Sequence, residues 1–387
     1  MLFWILVFWI SVGVIMYSYV GFSLLLMVVG KLFARKVAKK DITPSVSLVI
    51  AAYNEANGIA DKIENSLALD YPKDKLQIIV ASDGSDDGTD AIVERYADKG
   101  IQLFSFPRRG KIFALRDSVE KATGEILVFS DANTMYDQQA IRKLAANFAD
   151  PEVGGVNGNQ KHIKEKTKDN AGEGESLYWN YDKWLKESET LTGSIVSADG
   201  AIYAIRKSLF QMPSSTAVTD DFAISTAVVE QGYRLVYENQ ALAYEPPMPN
   251  AEKEFSRKVR IMNRGLRGVI MRKKLLNPFQ YGFYSLTLFS HKVLRRLVPF
   301  FLIFLFIASL MLSGVSAFYM LAAAAQIAFY GWAIISYFLR STAIGRRKVF
   351  YIPFFYCLAN AAAFVAIVNL LSGKRIEFWN PQRQVAN

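Results

Sequence analysis

The residues best suited to chemistry are acids gathered in short polar loops. Tyr53-Asn54-Glu55 forms one loop, and Ser82-Asp83-Gly84-Ser85-Asp86-Asp87-Gly88-Thr89 forms a second. Ser130-Asp131-Ala132-Asn133 is a third, and Asp220-Asp221 is a later pair. Carboxylates can accept hydrogen bonds from a ribose or a base edge, and can hold a hard divalent cation against a diphosphate. Each acid taken singly also has a plain structural use at a helix N-terminus, where Asp86 or Asp87 before Thr89 and Asn133 before Thr134 would serve. Capping explains one acid well and a series of acids at successive strand ends less well. Arg108-Arg109-Gly110-Lys111, ahead of a helical stretch, could carry charge to a phosphate or form a solvated basic turn.

The elements that must position these loops are legible in the apolar pattern. Val46-Ser47-Leu48-Val49-Ile50-Ala51, Leu76-Gln77-Ile78-Ile79-Val80 and Glu125-Ile126-Leu127-Val128-Phe129 are short runs rich in β-branched residues. Each precedes a polar loop and then a helical pattern. That alternation builds a parallel sheet covered on both faces, with ligands at the carboxyl ends of its strands. The acids then converge on one crevice, which points to a nucleotide site. The chain contains neither a GxxxxGKS/T phosphate loop nor a GxGxxG fingerprint, so an ordinary NTPase or dehydrogenase is disfavoured.

The flanks are of another kind. Met1 to Gly30 carries no charged residue, longer than the ~20 apolar residues a helix needs to cross a bilayer. Lys31, Arg35, Lys36, Lys39 and Lys40 follow it, so the segment after the helix is expected in the cytoplasm and the N-terminus outside. An anchor is expected here, since a cleaved signal would carry its basic residues ahead of the apolar run. Leu297 to Leu339 is also charge-free, broken at Ser313-Gly314-Val315-Ser316, and reads as two spans. Arg340, Arg346, Arg347 and Lys348 return the chain to the cytoplasm, and Val349 to Gly373 is a fourth apolar run, spanning or re-entrant. The expected layout is a transmembrane helix at 1–30, an α/β domain at 42–250, amphipathic interface helices at 251–296, about three transmembrane helices at 297–373 and a tail at 374–387.

Whole-chain composition narrows the classes further. Lys+Arg total 45 against 35 Asp+Glu, a net +10 that favours anionic partners: nucleotides, phospholipid or nucleic acid. The cations cluster beside apolar spans rather than on a soluble face, which disfavours nucleic acid. A lone cysteine, Cys357, excludes a disulfide framework, and His162 and His291 are too few for a histidine-rich zinc site. Phe255, Val259, Met262, Leu266, Val269 and Ile270 recur at helical spacing, with Arg257, Arg260, Arg264 and Arg267 as a second stripe. This pattern reads as an interfacial helix on anionic lipid. Phe279 to Arg296 is expected to continue along the surface, with His291 interfacial rather than catalytic.

The order Tyr53-Asn54-Glu55, Ser82-Asp83-Gly84-Ser85, Gly110-Lys111, Asp131-Ala132-Asn133, Thr219-Asp220-Asp221 resembles the family 2 glycosyltransferases. More narrowly, it is similar to their cellulose-synthase-like membrane members, over about residues 45 to 300. The resemblance implies an α/β, Rossmann-like GT-A catalytic domain plus transmembrane α-helices. It implies that Tyr53, Glu55 and Asp83 contact the uridine or its ribose, with Lys111 nearby. Asp131 would hold the nucleotide and share Mg²⁺ or Mn²⁺ with Asn133, where family members usually carry Asp. Asp221, beside Asp220 in the catalytic pair, would be the base that deprotonates the acceptor hydroxyl in an inverting transfer. Asp199 and Gly200, within Ser197-Ala198-Asp199-Gly200-Ala201-Ile202-Tyr203, resemble the acceptor-side loop. Arg257-Lys258-Val259-Arg260-Ile261 aligns with the family's Gln-x-x-Arg-Trp motif, which gives Arg260, with Arg257, the leaving diphosphate. Ile261 replaces a Trp that sits beside the acceptor sugar in polymerising members.

The activity so implied is transfer of one sugar from a UDP-sugar to a lipid-linked or growing saccharide at a bacterial surface. The setting is the inner (plasma) membrane, multi-pass, with membrane lipid around the helices and the catalytic domain cytoplasmic. One rival is a processive synthase that also exports its chain. Four helices make a thin channel for that, unless the protein forms a homo-oligomer or works with polysaccharide-export partners. Another is a non-catalytic subunit that binds nucleotide-sugar, against which the retention of Asp221 argues.

Overall fold

The computed structural model describes residues 1–162, 171–212, 217–245, 251–340, 342, 344–345 and 347–374, with the backbone alone at 162, 171–180 and 251–254. Arg346 and the expected tail from residue 375 onward lie outside the described residues. A long helix α1 (Leu2–Leu32) leads into β1 (Val46–Ala52), α2 (Ile59–Leu67), β2 (Leu76–Asp83), α3 (Thr89–Glu94), β3 (Ile101–Phe106), α4 (Lys111–Val119) and β4 (Ile126–Asp131). Then come β5 (Met135–Tyr136), α5 (Ala140–Ala146), β6 (Val153–His162), α6 (Ala171–Thr192), β7 (Ile202–Arg206), α7 (Asp220–Glu230) and β8 (Arg234–Glu245). The chain closes with α8 (Ala251–Met271), α9 (Phe283–Leu312), α10 (Ala317–Leu339) and α11 (Lys348–Leu371).

Among the described residues the strands form one sheet in the order β3-β2-β1-β4-β7-β6-β8-β5. β1 pairs in parallel with β2 and β4, so every residue of Val46–Ala52 is buried and the run reads as continuously apolar. Ile59 and Ile63 of α2 and Ile141 of α5 cover one face of the sheet. Ala114 and Leu115 of α4 and Ile224 and Val228 of α7 cover the other. The expected parallel pairing holds for β1 to β4 and again between β6 and β8. β7 runs antiparallel to both β4 and β6, and β5 antiparallel to β8, so the sheet is mixed.

Among the described residues four helices, α1 and α9 to α11, are long and apolar enough to cross a membrane. Phe8 of α1 packs on Ala308 and Leu312 of α9, and its ring meets Phe318 of α10 at 5.9 Å. Lower in α1, Phe22 and Leu26 pack on Leu185 of α6, which ties the apolar bundle to the sheet domain.

Two expectations change here. The apolar stripe of the basic helix does not lie bare for lipid. Phe255, Val259 and Met262 of α8 pack on Ala362 and Ala366 of α11, and Asn263 Nδ2 donates to the Ala366 carbonyl at 3.0 Å. A small-residue face on α11 offers more contact than a headgroup layer would. The stretch from Phe279 to Arg296 is not a surface ribbon either. From Phe283 it runs as one helix through a π turn at Phe289–Leu294 into the span, and His291 Nδ1 meets Glu189 Oε1 of α6 at 2.8 Å inside the fold.

Candidate functional site

The first strand-end loops form a tightly tied ledge. After β1, Asn54 takes a left-handed turn (φ 53°) and exchanges hydrogen bonds with the Asp86 loop. Its Nδ2 donates to Asp86 Oδ1 at 2.7 Å, and the Asp86 N–H donates to Asn54 Oδ1 at 3.0 Å. Glu55 is buried, with its N–H on Thr89 Oγ1 at 2.8 Å. Asp87 accepts the Ala56 and Thr89 N–H groups at 3.0 Å each. Burial pushes its carboxyl up, but the hydrogen bonds from Thr89 and Ala56 hold it below the usual carboxylate range.

Asp83, at the end of β2, is buried and committed to the next loop. It accepts the Arg109 and Gly110 N–H groups at 2.9 Å and pairs with the Arg108 guanidinium. That guanidinium lies 3.3 Å from the centroid of the Tyr53 ring. Gly84 (φ 70°) permits the close approach, since a Cβ there would stand 2.7 Å from the Arg108 nitrogen. Asp83 thereby fixes the turn that delivers Lys111 to the start of α4.

Lys111 reaches the centre of the site. Its Nζ stands 2.7 Å from Asp131 Oδ1 and 2.9 Å from Asp220 Oδ2. Burial alone would lower its pKa, but the charges of Asp131 and Asp220 outweigh it and hold the ammonium protonated far above neutrality. Gly200 faces the same space. A Cβ added there would lie 3.6 Å from both Asp131 Oδ2 and Asp221 Oδ2. These residues, with Thr219, Arg257, Arg260, Ile261 and Arg264, line a cavity of about 180 Å³ that also borders Gln160 and Glu245.

Asp220 and Asp221 open α7 after the extended Thr219, so their carboxylates sit at the positive end of the helix. Burial would raise Asp220, but Lys111, with Arg264 beyond it, holds it below the usual range. Asp221 is pushed up to about 6, first by burial and then by the Asp220 charge. Two adjacent carboxylates with separated pKa values are suited to acid–base chemistry.

The arginines arrive from α8. Its apolar face is fixed on α11, so its other face turns Arg257, Arg260 and Arg264 to the cavity. Arg260 makes no hydrogen bond or ion pair among the described residues. Burial, then the charges of Arg264 and Arg257, lower its pKa from the usual arginine value. Like charges held together at a cavity wall favour an anion.

Of the residues expected to act, Lys111, Asp131, Gly200, Asp220, Asp221, Arg257 and Arg260 meet in this one cavity. Tyr53, Glu55 and Asp83 stand on the ledge beside it, outside its described lining. Asp199 is turned to Lys186, which also holds Asp182 at 2.7 Å, and its N–H donates to Asn157 Oδ1 at 2.8 Å. Lys186 overcomes the burial of Asp199 and holds its carboxyl below the usual range. Asp199 thus anchors the loop that presents Gly200. Asn133 is also turned aside: its Nδ2 donates to Glu245 Oε1 at 3.3 Å, and it is not among the cavity-lining residues.

Sequence reasoning missed Glu245 and Gln160, and also Lys62. Lys62 is fully buried, donates to the Thr134 carbonyl at 2.5 Å and lies 4.0 Å over the Tyr136 ring. It supports the Asp131–Asn133 loop from beneath, and burial, partly offset by Asp131, lowers its ammonium to about 7. The available signal was spacing: Lys62 shares the face of Ile59, Ile63 and Ser66 on α2.

Known proteins match this geometry. Residues 47–212 fit the family model described as glycosyl transferase family 2. Curated relatives include a poly-beta-1,6-N-acetyl-D-glucosamine synthase of Staphylococcus aureus, 30% identical over 211 residues, covering 53% of this chain and 50% of the relative. The protein of the same description from Staphylococcus epidermidis is 29% identical over 208 residues, covering 51% of this chain and 49% of its own. The chain spans about half the length of the curated relatives it matches. Among solved structures, a mannosyltransferase from Pyrobaculum calidifontis, in complex with GDP-Man and Mn²⁺, superposes with TM-score 0.70. That match covers 95% of this chain and 100% of the other at 22% identity, a likeness of fold. Strand-end acids, sheet and matched segment agree: residues 47–212 are a family 2 glycosyltransferase domain of GT-A fold, in a chain whose flanking helices are long and apolar enough to cross a membrane.

Proposed function

We propose that the chain is an inverting, membrane-anchored glycosyltransferase that moves a sugar from a UDP-sugar to a hydroxyl of a lipid-linked or growing saccharide. The observation that carries this reading is the convergence over Gly200. The raised carboxyl of Asp221, Asp131 Oδ2 and the Lys111 ammonium all face the space above it, in a cavity also lined by the arginines of α8.

The acceptor oxygen attacks the anomeric carbon and gives its proton to Asp221, while the bond from that carbon to the diphosphate oxygen breaks. Arg260 and Arg257 take up the charge on the departing diphosphate, while Lys111, ion-paired with Asp131, keeps Asp220 ionised. The donor chemistry also fits Mg²⁺ or Mn²⁺. Asp131 Oδ2 borders the open space over Gly200, and hard oxygen ligands suit these cations. When bound, such a cation supplies charge neutralisation at the diphosphate.

The names of the Staphylococcus relatives make UDP-N-acetylglucosamine the first donor to test and a bacterial surface polysaccharide the product class. The basic residues after α1 support a cytoplasmic catalytic domain on an inner membrane. The relatives' names also favour a second reading, processive synthesis with export. Ile261 lines the cavity, so its wall at that point is aliphatic and cannot stack on a sugar ring as an aromatic does. Purified protein in lipid, offered a panel of UDP-sugars, should release UDP from one of them far faster than from the rest. Absence of release from every UDP-sugar, with and without saccharide acceptor, would remove the proposal. Product length then separates single addition from polymerisation.

A further inference from the structure

The geometry points to Glu245 as the second carboxylate of the cation–diphosphate site, with Asn133 as its holder rather than a ligand. This inference rests on the proposed metal-dependent transfer. Four observations carry it. Glu245 closes β8 and borders the same cavity as Asp131, whereas Asn133 does not. Its side chain is held from two sides by neutral amides, Asn133 Nδ2 at 3.3 Å and Gln160 Nε2. A carboxylate only accepts hydrogen bonds, so the amide end that Asn133 presents to it must be the NH₂ end. Among the described residues no lysine or arginine pairs with Glu245, although it is 7% exposed.

A carboxylate so enclosed is costly unless a cation meets it. Among the described residues Lys111, Arg257 and Arg260 border the same cavity, and none of them is ion-paired with Glu245. Two carboxylates plus substrate phosphates are the usual protein share of a small divalent cation's shell. Asp131 supplies one, with Oδ1 on Lys111 and Oδ2 toward the cavity. Glu245 supplies the other, oriented by Asn133 and Gln160 as outer partners orient metal ligands. An acid at position 133 would face Glu245 as a like charge, so Asn is the residue this arrangement requires.

The test is Mn²⁺ affinity of the purified full chain in lipid with UDP present, read from the free-Mn²⁺ paramagnetic resonance signal and independent of turnover. Glu245→Gln keeps the shape and both amide neighbours, and should lose affinity as fully as Asp131→Asn, by more than about 100-fold. Asn133→Ala, which removes only an outer partner, should lose less, within about 10–100-fold. Thermal melting checks that each variant folds. Should Glu245→Gln not fold, Glu245→Asp, with its charge set back by one methylene, should bind measurably but more weakly than wild type. Asn133→Ala losing more than Glu245→Gln (or than Glu245→Asp) would make Asn133 the ligand and overturn the assignment. Wild-type affinity in Glu245→Gln or, in its place, Glu245→Asp would overturn it too, leaving the glycosyltransferase reading intact. A wild-type protein that binds no Mn²⁺ with UDP would overturn both the assignment and the metal requirement.

Discussion

Asp220 and Asp221 are neighbours at the start of one helix, yet their carboxyl groups are driven in opposite directions. Lys111 stabilises the charge on Asp220, and that charge in turn opposes ionisation of Asp221. Asp220 is thus held as an anion while Asp221 is poised to take a proton near neutrality.

The pH profile follows from that poise. Transfer needs ionised Asp221, so kcat/KM should climb with pH through an acid limb near the value of about 6 set by its burial. Stability has the opposite sign. With the folded-state pKa raised above its ordinary 3.8, the contribution of Asp221 is fully present below about pH 4 and lost as pH rises through about 6. A pH–rate series that stays flat from 5 to 8 would refute the poise.

Lys111 moderates that limb. Its charge lowers both aspartates, so Lys111→Met should move the acid limb of the residual activity upward, by about one unit for each 1.4 kcal/mol of lost attraction. A limb that stays in place would mean that Lys111 does not act on the pair.

Gly200 keeps open the space that Asp131, Asp221 and Lys111 face. The methyl of Gly200→Ala fits without a clash, at 3.6 Å from Asp131 Oδ2 and from Asp221 Oδ2, so the melting temperature should hardly change. Donor KM should nevertheless rise about tenfold or more, because the group intrudes where reacting atoms must align. Unchanged kinetics in a folded variant would place the reacting sugar elsewhere.

The arginine stripe should divide. Arg260 faces the cavity, whereas Arg267 is engaged with Asn263 Oδ1 at 3.1 Å and the Lys374 carbonyl at 2.7 Å. A charged hydrogen bond to phosphate contributes about 1.5–3 kcal/mol, so Arg260→Ala should cost roughly 10–150-fold in kcat/KM. Arg267→Ala should stay within about fivefold. Equal and small losses in both would return the stripe to a lipid-facing role.

Much of this was readable before any fold was known. β1, β2 and β4 announce themselves as apolar runs because they lie inside the sheet, and the acids at their ends follow the chain directly. The antiparallel entry of β7 was not readable, since Ile202–Arg206 finds β4 only across a long sequence separation. The partner of the α8 stripe was hidden for the same reason. Periodicity shows that one face is apolar but not that Ala362 and Ala366 cover it. The contact of Asn133 with Glu245 was not readable either, since the two lie 112 positions apart in the chain. Lys62 was not singled out at all, because composition is silent on a buried carbonyl that accepts its hydrogen bond.

The central claim, that Asp221 takes the acceptor's proton, is tested most directly by comparing Asp221→Asn with wild type at pH 7.5 in lipid. Transfer of label from the UDP-sugar and UDP affinity should be measured on the same preparation. The account predicts a fall in transfer of about 10²–10⁴-fold, with UDP affinity nearly unchanged and a melting temperature no lower than wild type. Wild-type turnover in that folded variant would contradict it.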